Sequence, residues 1–284
     1  MSEKKVWFIT GASSGFGRAL AEEVLAQGFR AVATARKPEV LQDLVEKYPE
    51  TARVLKLDVT NLRNVKSSIA NAVKEFGRID VVVNNAGYAL VGAIEEAGDE
   101  QIKQQFDTNV FGAASIIREV LPILRAQKSG HIVNIGSLVG ITAYSSFGYY
   151  SATKFALEGL SEALAAEVAP LGIKTTIVEP GPFHTGFSGK SVTIGENILP
   201  GVYPSTAGLT DAFSEFDGPT AGDPVKAVKI IVEAVESENP PFRLPLGLFA
   251  YEGIEAKLEQ VKQEIEPWRE RAIQTAFDAA ATTA

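Results

Sequence analysis

The stretch that decides the fold is residues 6–18, which read VWFITGASSGFGR. It opens with a short apolar run typical of a buried strand, and a helical pattern begins near Arg18. Between them lies a glycine turn formed by Gly11, Gly15 and Gly17. Glycine lets a ligand approach the main chain, and a helix N-terminus presents unpaired N–H groups to an anion. In this strand–turn–helix context the turn predicts a dinucleotide pyrophosphate site, with an ordinary tight turn as the alternative.

Outward from this unit, short apolar runs alternate with longer helical patterns. The strand candidates are Val6–Thr10, Ala31–Thr34, Arg53–Leu57, Val81–Val83, His131–Ile135, Lys174–Val178 and Phe242–Leu244. Runs of Val and Ile without polar alternation indicate strands buried on both faces. The alternation predicts an α/β fold with a doubly wound, Rossmann-type, mostly parallel seven-stranded sheet and helices on both faces. Such a sheet places its ligand crevice at the carboxyl ends of the strands.

We expect one domain across residues 1–284, with three regions. Residues 1–182 form the cofactor-binding and catalytic core, 183–222 a substrate loop or lid, and 223–284 the C-terminal helices and last strand. The middle region is rich in Gly, Pro, Ser and Thr and shows no firm strand, and long loops inside compact domains are usually functional. In the tail, one helical stripe of apolar residues is expected to pack on the domain or on a partner subunit: Ile254, Leu258, Val261, Ile265 and Trp268.

Composition excludes several classes of function. A formal charge of −8 argues against a broad basic surface for nucleic acid or anionic lipid. No apolar run approaches the ~18 residues that cross a bilayer, and the N-terminus does not read as a signal peptide. The lack of cysteine excludes disulfides, and with His131 and His184 as the two histidines a His-rich metal site is excluded. We therefore expect no metal, no nucleic-acid or membrane partner, and a cytoplasmic location.

The second strand candidate indicates the cofactor. An NAD site normally carries Asp or Glu about 20 residues after the glycines, where it accepts a hydrogen bond from the ribose 2′-hydroxyl. Here Ala35 is followed by Arg36 and Lys37, with no acid. The guanidinium fork of Arg36 matches a 2′-phosphate, with Lys37 as a weaker helper. A solvated basic pair is the alternative; otherwise the pattern predicts NADP(H).

A pair of residues one helical turn apart indicates proton chemistry. Tyr150 and Lys154 begin a long helical pattern, and their i,i+4 spacing places both side chains on one face. A nearby cation lowers the pKa of a phenol from its ordinary value near 10. Thirteen residues upstream, Ser137 follows a predicted strand and can donate a hydrogen bond to a substrate carbonyl. The alternatives are a chance pair on a solvated helix and a turn-forming serine.

With these residues in place, the chain resembles the classical short-chain dehydrogenase/reductase (SDR) family from about Val6 to Leu244. Thr10–Gly17 matches its T-G-x-x-x-G-x-G turn, Asn84–Gly87 its N-N-A-G motif and Pro180–Thr185 its P-G-x-x-x-T motif, while Asp58 and Val59 resemble its adenine-contacting pair. Phe16 and Gly136 depart from the family, which usually has an aliphatic residue and a serine there. The predicted cofactor-binding residues are Gly11, Ser13, Ser14, Phe16, Gly17, Arg36, Lys37, Asp58, Val59, Asn85, Ala86, Gly87, Tyr150, Lys154, Pro180, Gly181, Phe183 and Thr185.

The resemblance also implies a catalytic tetrad of Asn109, Ser137, Tyr150 and Lys154. It implies that Tyr150 is the general acid in reduction and the base in oxidation. Lys154 would lower the tyrosine pKa and hold the nicotinamide ribose, while Ser137 orients the carbonyl. Asn109 would keep a water molecule in a proton relay through Lys154. Family members are usually homodimers or homotetramers built on two long helices, here near residues 100–125 and 150–168.

The substrate is expected to be a small, apolar carbonyl or alcohol. Its predicted contacts are Ser137, Tyr144, Tyr150 and Phe187, and further aromatic candidates are Phe147, Tyr149, Phe183, Phe213 and Phe216. The leading hypothesis is an NADP(H)-dependent carbonyl reductase that also runs in reverse. One alternative is an NAD(P)+-dependent dehydrogenase of a sterol-like or other apolar secondary alcohol. Another is a non-catalytic dinucleotide sensor, although such proteins typically lack the tyrosine or lysine that this chain retains.

Overall fold

A computed structural model describes residues 4–185, 191–206 and 221–275. The strands are β1 (Val6–Ile9), β2 (Arg30–Ala35), β3 (Ala52–Lys56), β4 (Val81–Asn84), β5 (Ala89–Val91), β6 (Gly130–Ile135), β7 (Ile173–Pro180), β8 (Val192–Ile194) and β9 (Arg243–Leu246). The α-helices within these ranges are α1 (Gly15–Ala26), α2 (Gln42–Lys47), α3 (Leu62–Phe76), α4 (Asp99–Phe106), α5 (Ala113–Gln127), α6 (Gly148–Val168), α7 (Pro224–Glu236), α8 (Leu248–Ile265) and α9 (Arg269–Ala272).

Seven strands form one parallel sheet in the order β3-β2-β1-β4-β6-β7-β9. Each of the seven strand candidates corresponds to one of these strands, so the predicted doubly wound sheet is confirmed. From β1 the chain winds outward through β2 to β3, and then returns to add β4, β6, β7 and β9 on the other side. The strand order therefore reverses between β1 and β4. A crevice opens at such a reversal, at the carboxyl ends of the strands.

The core lies in two layers, one on each face of the sheet. The side chains of β1 show this division, because successive residues of a strand point to opposite faces. Trp7 and Ile9 pack in the layer that contains the apolar faces of α1 and α7. Val6 and Phe8 pack in the layer that contains apolar residues of α3, α5 and α6. The expectation of helices on both faces is thus confirmed, and each buried side chain of this size contributes about 1.5–3 kcal/mol to stability.

The two long helices stand where they are predicted. A π-helical turn, Asp107–Gly112, joins α4 to α5 without a break, so that residues 99–127 form one long helical segment. The second long helix is α6. Single π-helical turns inside α-helices are rare and often occur at functional sites.

The segment 183–222 differs from the prediction, because it contains a strand. β8 pairs in parallel with β5 to form a separate two-stranded sheet. The prediction of no firm strand was wrong here, since a three-residue run whose partner lies about 100 residues earlier leaves no local periodicity. Residues 186–190 and 207–220 lie outside the described part of the chain, so the lid remains a prediction.

The apolar stripe of the tail does not pack on the domain. α8 touches the body near its start, where Ala250 is buried and Gly253 lies against the side chain of Leu138. Further along the stripe, Leu258 and Trp268 are 63% and 64% exposed. Of the two alternatives for this stripe, packing on the domain is thus limited to its start, because the helix leaves the body after its first turns. Packing on a partner subunit stays a prediction.

Candidate active site

The glycine turn after β1 has the shape of a pyrophosphate cradle. Gly11 and Gly15 have positive φ angles of 65° and 56°, which side-chain-bearing residues rarely adopt. A methyl group on Gly17 would lie 2.5 Å from the carbonyl oxygen of Gly11. The first turn of α1 carries no acidic residue, so its N-terminal partial positive charge is not opposed locally. The turn therefore fits the anionic part of a dinucleotide.

The N-N-A-G segment after β4 holds this turn in place. The Asn85 amide donates to the carbonyl oxygens of Thr10 and Gly11, both at 3.0 Å. In return, the Thr10 hydroxyl accepts from the backbone N–H groups of Asn85 and Ala86, at 2.9 and 3.0 Å. Four hydrogen bonds thus fix the cradle to the neighbouring strand end, so its shape does not depend on a ligand.

A cleft of about 940 Å³ runs from this cradle across the carboxyl ends of the strands. It brings together most of the residues predicted from the sequence: Gly11, Ser13, Ser14, Phe16, Arg36, Asp58, Val59, Asn85, Ala86, Gly87, Ser137, Tyr144, Tyr150, Lys154, Pro180, Gly181, Phe183 and Thr185. Gly17, Lys37 and Asn109 are not among the lining residues, and Phe187 lies outside the described residues. One continuous cleft therefore holds both the predicted cofactor contacts and the predicted reacting groups.

Arg36 and Asp58, which the sequence predicts to contact the adenosine part of the cofactor, both line the cleft. Arg36 follows the buried Ala35 at the end of β2, and its side chain is exposed at the cleft margin. The neighbouring Lys37 is exposed as well but does not line the cleft. Asp58 uses one carboxylate oxygen to accept from the backbone N–H and the hydroxyl of Thr60, at 3.0 and 2.7 Å. Of the two cations Arg36 and Lys37, Arg36 is thus the one that a 2′-phosphate bound in the cleft could reach.

Tyr150 and Ser137 form the centre of the cleft. Their hydroxyl groups are hydrogen-bonded, and this bond lowers the pKa of the tyrosine. Burial acts more strongly in the other direction and raises the pKa of Tyr150 to about 12. The lowered tyrosine pKa that the sequence predicts is therefore not found in this arrangement, because burial outweighs the hydrogen bond. At neutral pH the phenol carries its proton.

Lys154 lies under the tyrosine ring. Its ammonium group donates to the carbonyl oxygen of Ile135 at 2.7 Å and lies 5.6 Å from the centroid of the Tyr150 ring. Burial lowers the pKa of Lys154 to about 8, and the negative charge of Glu158 partly opposes this shift. The i,i+4 spacing has brought the two side chains together as predicted, with the ammonium bonded to the end of β6.

Asn109 lies in the π-helical turn and is buried. Its amide nitrogen donates to the Tyr88 carbonyl oxygen at 2.8 Å and to the Thr153 hydroxyl at 3.1 Å. Its amide oxygen accepts from the Tyr88 backbone N–H at 3.1 Å. These bonds join the segment after β4 to α6, one residue before Lys154. In this structure Asn109 is therefore seen to anchor the helix that carries the reacting groups.

The other end of the cleft is partly apolar. Tyr144 and Phe147 line it as predicted, and Tyr149 does not. Among the lining residues that sequence reasoning missed are the apolar Leu138, Val139 and Phe249 and the polar Gln101, Gln104, Asp107, Thr108, Ser191 and Thr193. Leu138 and Val139 could have been found from their place directly after Ser137. Phe249 carries no such signal, since it reaches the cleft from α8.

The described residues also bear on two other classes of site. Within residues 4–185, 191–206 and 221–275, no group of three or more His, Asp or Glu side chains could hold a metal ion. No helix in these ranges is long and apolar enough to cross a membrane.

Comparisons with known proteins agree with this geometry. The family model for short chain dehydrogenases matches residues 5–193. The chain belongs to the short-chain dehydrogenase family. A 3-ketodihydrosphingosine reductase of Bacteroides thetaiotaomicron is 38% identical over 86% of this chain and 88% of its own length. The crystal structure of a short-chain dehydrogenase from Streptomyces avermitilis superposes with a TM-score of 0.89, at 41% identity, covering 98% of this chain and 100% of the other.

A second solved structure bears on the cofactor. The closed form of a serine dehydrogenase complexed with NADP+ superposes with a TM-score of 0.74 at 27% identity, covering 85% of this chain and 94% of the other. As a member of this family, the protein is an oxidoreductase whose cleft is built for a nicotinamide dinucleotide. The cradle around Gly11 and Gly17 fits that assignment.

Proposed function

We propose that this short-chain dehydrogenase is an NADP(H)-dependent oxidoreductase that reduces a ketone or aldehyde to an alcohol, or runs in reverse, with Tyr150 exchanging the proton. The observation that carries the proposal is the hydrogen-bonded pair of Ser137 and Tyr150, which lines the same cleft as the dinucleotide cradle. When bound, the nicotinamide supplies or accepts the hydride. The protein's own side chains orient the carbonyl group and exchange the proton.

The protonation of the site favours reduction. A tyrosine whose pKa is raised to about 12 holds its proton at neutral pH, as a proton donor must. Ser137 stands beside it and can donate a hydrogen bond to the oxygen on which negative charge develops. Lys154 places a cation under the ring and favours the phenolate that remains after proton transfer.

NADP(H) is proposed over NAD(H) because of the residues at the end of β2. Ala35 leaves no carboxylate to bind a ribose 2′-hydroxyl or to repel a 2′-phosphate. Arg36 lies at the cleft margin, where its guanidinium group can pair with that phosphate. The serine dehydrogenase complexed with NADP+ shows that this cofactor is bound within the same fold.

The substrate is proposed to be an apolar carbonyl compound or alcohol. Tyr144, Phe147, Val139 and Phe249 offer ring faces and alkyl surface beside Tyr150. A relative named for reduction of a 3-keto compound supports a ketone as the reacting group. Dehydrogenation of a sterol-like or other apolar secondary alcohol would use the same contacts in reverse. We propose further that the protein is a cytoplasmic homodimer or homotetramer that uses no metal.

The decisive experiment replaces the tyrosine. Tyr150→Phe keeps the ring and its packing but removes the proton, so turnover should fall by about 10²–10⁴-fold. NADPH binding, followed by NADPH fluorescence, should be preserved. Turnover is followed by NADPH absorbance on a panel of ketones and aldehydes.

Tyr149→Phe is the matched control, because Tyr149 precedes the catalytic residue and does not line the cleft. This variant should keep wild-type turnover. Near-normal reduction by Tyr150→Phe would refute the mechanism. A wild-type protein that binds NADPH and reduces no carbonyl tested would instead favour the dinucleotide sensor.

A further inference from the structure

A buried ion cluster lies next to the catalytic lysine and has no part in the function proposed above. It consists of Glu158 on α6, Glu179 on β7 and Arg243 on β9. Arg243 donates from Nη1 to Glu158 Oε2 and, at 2.9 Å, to Glu179 Oε1. Its Nη2 donates to Glu162 at 3.1 Å, at the surface. Glu158 and Glu179 are 5% and 1% exposed, so this one guanidinium joins two carboxyl groups that water hardly reaches.

Glu158 also faces towards Lys154. The two residues are one helical turn apart, on the same face of α6. The second carboxylate oxygen, Oε1, is buried and accepts no hydrogen bond from the residues that the structure describes. A buried carboxylate oxygen without a donor is costly unless a cation lies nearby. Lys154 is a cation close enough to interact with this carboxylate, because each of the two groups shifts the pKa of the other.

The space around this oxygen depends on two glycines. A methyl group on Gly136 would lie 3.1 Å from Glu158 Oε1, and one on Gly140 would lie 3.3 Å from it. Gly136 is the position where the family usually carries serine. The carboxylate thus lies against the segment between Ile135, whose carbonyl oxygen accepts from Lys154, and the catalytic Ser137. A side chain at position 136 would therefore crowd the carboxylate of Glu158.

The charges of the cluster balance. Two carboxylates, the Arg243 guanidinium and the Lys154 ammonium sum to zero, and Glu162 adds a charge at the surface end. Burial and the charge of Glu179 raise the pKa of Glu158 to about 7, while Arg243 and Lys154 lower it. Around neutral pH, a proton gained or lost by Glu158 therefore changes the charge next to Lys154.

We propose that Glu158 is a positioning residue that keeps Lys154 in its cationic form, with Gly136 providing the space for its carboxylate. The proposal rests on the proposed function, in which Lys154 acts on Tyr150. An anion near a lysine raises the lysine's pKa, so removing the charge of Glu158 allows Lys154 to lose its proton at lower pH. The phenolate of Tyr150 then has no cation under its ring.

The test measures the titration of Lys154 directly, by ¹³C NMR of lysine labelled at Cε. The Lys154 signal is identified by its loss in Lys154→Met. Glu158→Gln keeps the shape of the side chain but removes the charge, and the pKa of Lys154 should fall by about one pH unit, a tenfold change in proton affinity. Glu158→Asp keeps the negative charge, so the pKa of Lys154 in this variant should lie closer to its wild-type value. An unchanged pKa in Glu158→Gln would overturn the proposal.

Glu162→Gln is the matched control, because Glu162 lies one turn further along α6 and binds the same arginine but remains exposed. It should leave the titration of Lys154 unchanged, whereas an equal shift would contradict the proposal. If Glu158→Gln does not fold, the reverse coupling serves as the test. The carboxyl ¹³C signal of Glu158 should titrate at higher pH in Lys154→Met than in wild type, and an unchanged midpoint would overturn the idea.

The pH dependence of activity is a second measurement, and it distinguishes a failure of this proposal from a failure of the proposed function. In wild type, carbonyl reduction should fall with rising pH as Lys154 loses its proton, because the phenolate left after proton transfer then has no cation under its ring. In Glu158→Gln this fall should shift to lower pH, because Lys154 loses its proton earlier; an unshifted fall would contradict the role. A wild-type protein without turnover would refute the proposed function and leave the NMR comparison decisive for Glu158.

Discussion

Arg36 and Lys37 show how two adjacent cations can differ in what they are able to bind. Both are exposed, but Arg36 alone of the two lines the cleft. Arg36→Ala should weaken NADPH binding about ten- to a hundredfold and NADH binding much less, since a charge-assisted hydrogen bond contributes about 1.5–3 kcal/mol. Fluorescence titration of both cofactors against wild type and variant measures this difference.

Lys37→Ala is the control, and it should bind both cofactors nearly as wild type does. Equal loss in the two variants would mean that general positive charge, and not the fork of Arg36, attracts the phosphate. Tighter binding of NADH than of NADPH by the wild-type protein would sink the NADP(H) assignment altogether.

Single residues also mark where sequence reasoning succeeded and where it stopped. Tyr150, Ser137 and Arg36 could be predicted because each follows a strand end or a helical spacing that has a chemical reason. Glu158 could not, since a glutamate on a helix usually belongs to a solvated face. Its burial depends on Arg243, 85 residues away, and no local pattern links the two.

Among the secondary-structure elements, the segment around β8 is held by one buried carboxylate. Glu96 is fully buried and accepts hydrogen bonds from Ala93 N–H and Leu199 N–H at 2.8 and 2.9 Å, and from the Thr206 hydroxyl at 3.3 Å. Residues 191–206 should therefore be protected from hydrogen exchange without any ligand.

Replacing this carboxylate tests the attachment. Glu96→Gln places an amide among backbone donors, so exchange across residues 191–206 should accelerate. Because Ser191 and Thr193 line the cleft, the KM for the carbonyl substrate should rise as well. Hydrogen exchange followed by mass spectrometry measures the first effect and steady-state kinetics the second.

Glu100→Gln is the control, since Glu100 is exposed on α4 and its carboxylate bonds to Gln104, one turn away. It should change neither exchange nor KM. Unchanged protection of residues 191–206 in Glu96→Gln would show that the β5–β8 pairing holds the segment without the carboxylate.

The strands also differ in whether they can be recognised from the local sequence or only from a distant partner. β1, β4 and β6 could be predicted because they are largely apolar runs that are buried on both faces. β5 and β8 are three residues each and lie about 100 residues apart in the sequence, so their pattern is too short to distinguish from a loop. The strand pair and Glu158 were missed for the same reason: each is buried by a partner that lies far away in the sequence.

For the whole molecule, the exposed apolar side chains bear on assembly. Phe111 and Phe155 are 58% and 43% exposed on the two long helical segments on which we expect the subunits to pair, while Leu258 is 63% exposed on the tail. If the homo-oligomer forms on the long helices, Phe155→Glu should shift the mass towards the monomer in size-exclusion chromatography with light scattering, because it buries a charge at the contact.

Leu258→Glu is the counterpart on the tail helix and should leave the mass unchanged. Dissociation by Leu258→Glu and not by Phe155→Glu would place the interface on the tail instead. A wild-type protein that is monomeric at all concentrations would contradict the expected dimer or tetramer.

The strand order has a consequence for how the chain is made. After β1–β3, β4 joins the free edge of β1, and β6, β7 and β9 then each join the strand of the main sheet added before them. Each strand that emerges from the ribosome therefore meets a partner strand that has already been synthesised. The last strand, β9, carries Arg243, which binds both Glu158 and Glu179. These two carboxyl groups therefore gain their shared cation only when the final strand joins the sheet.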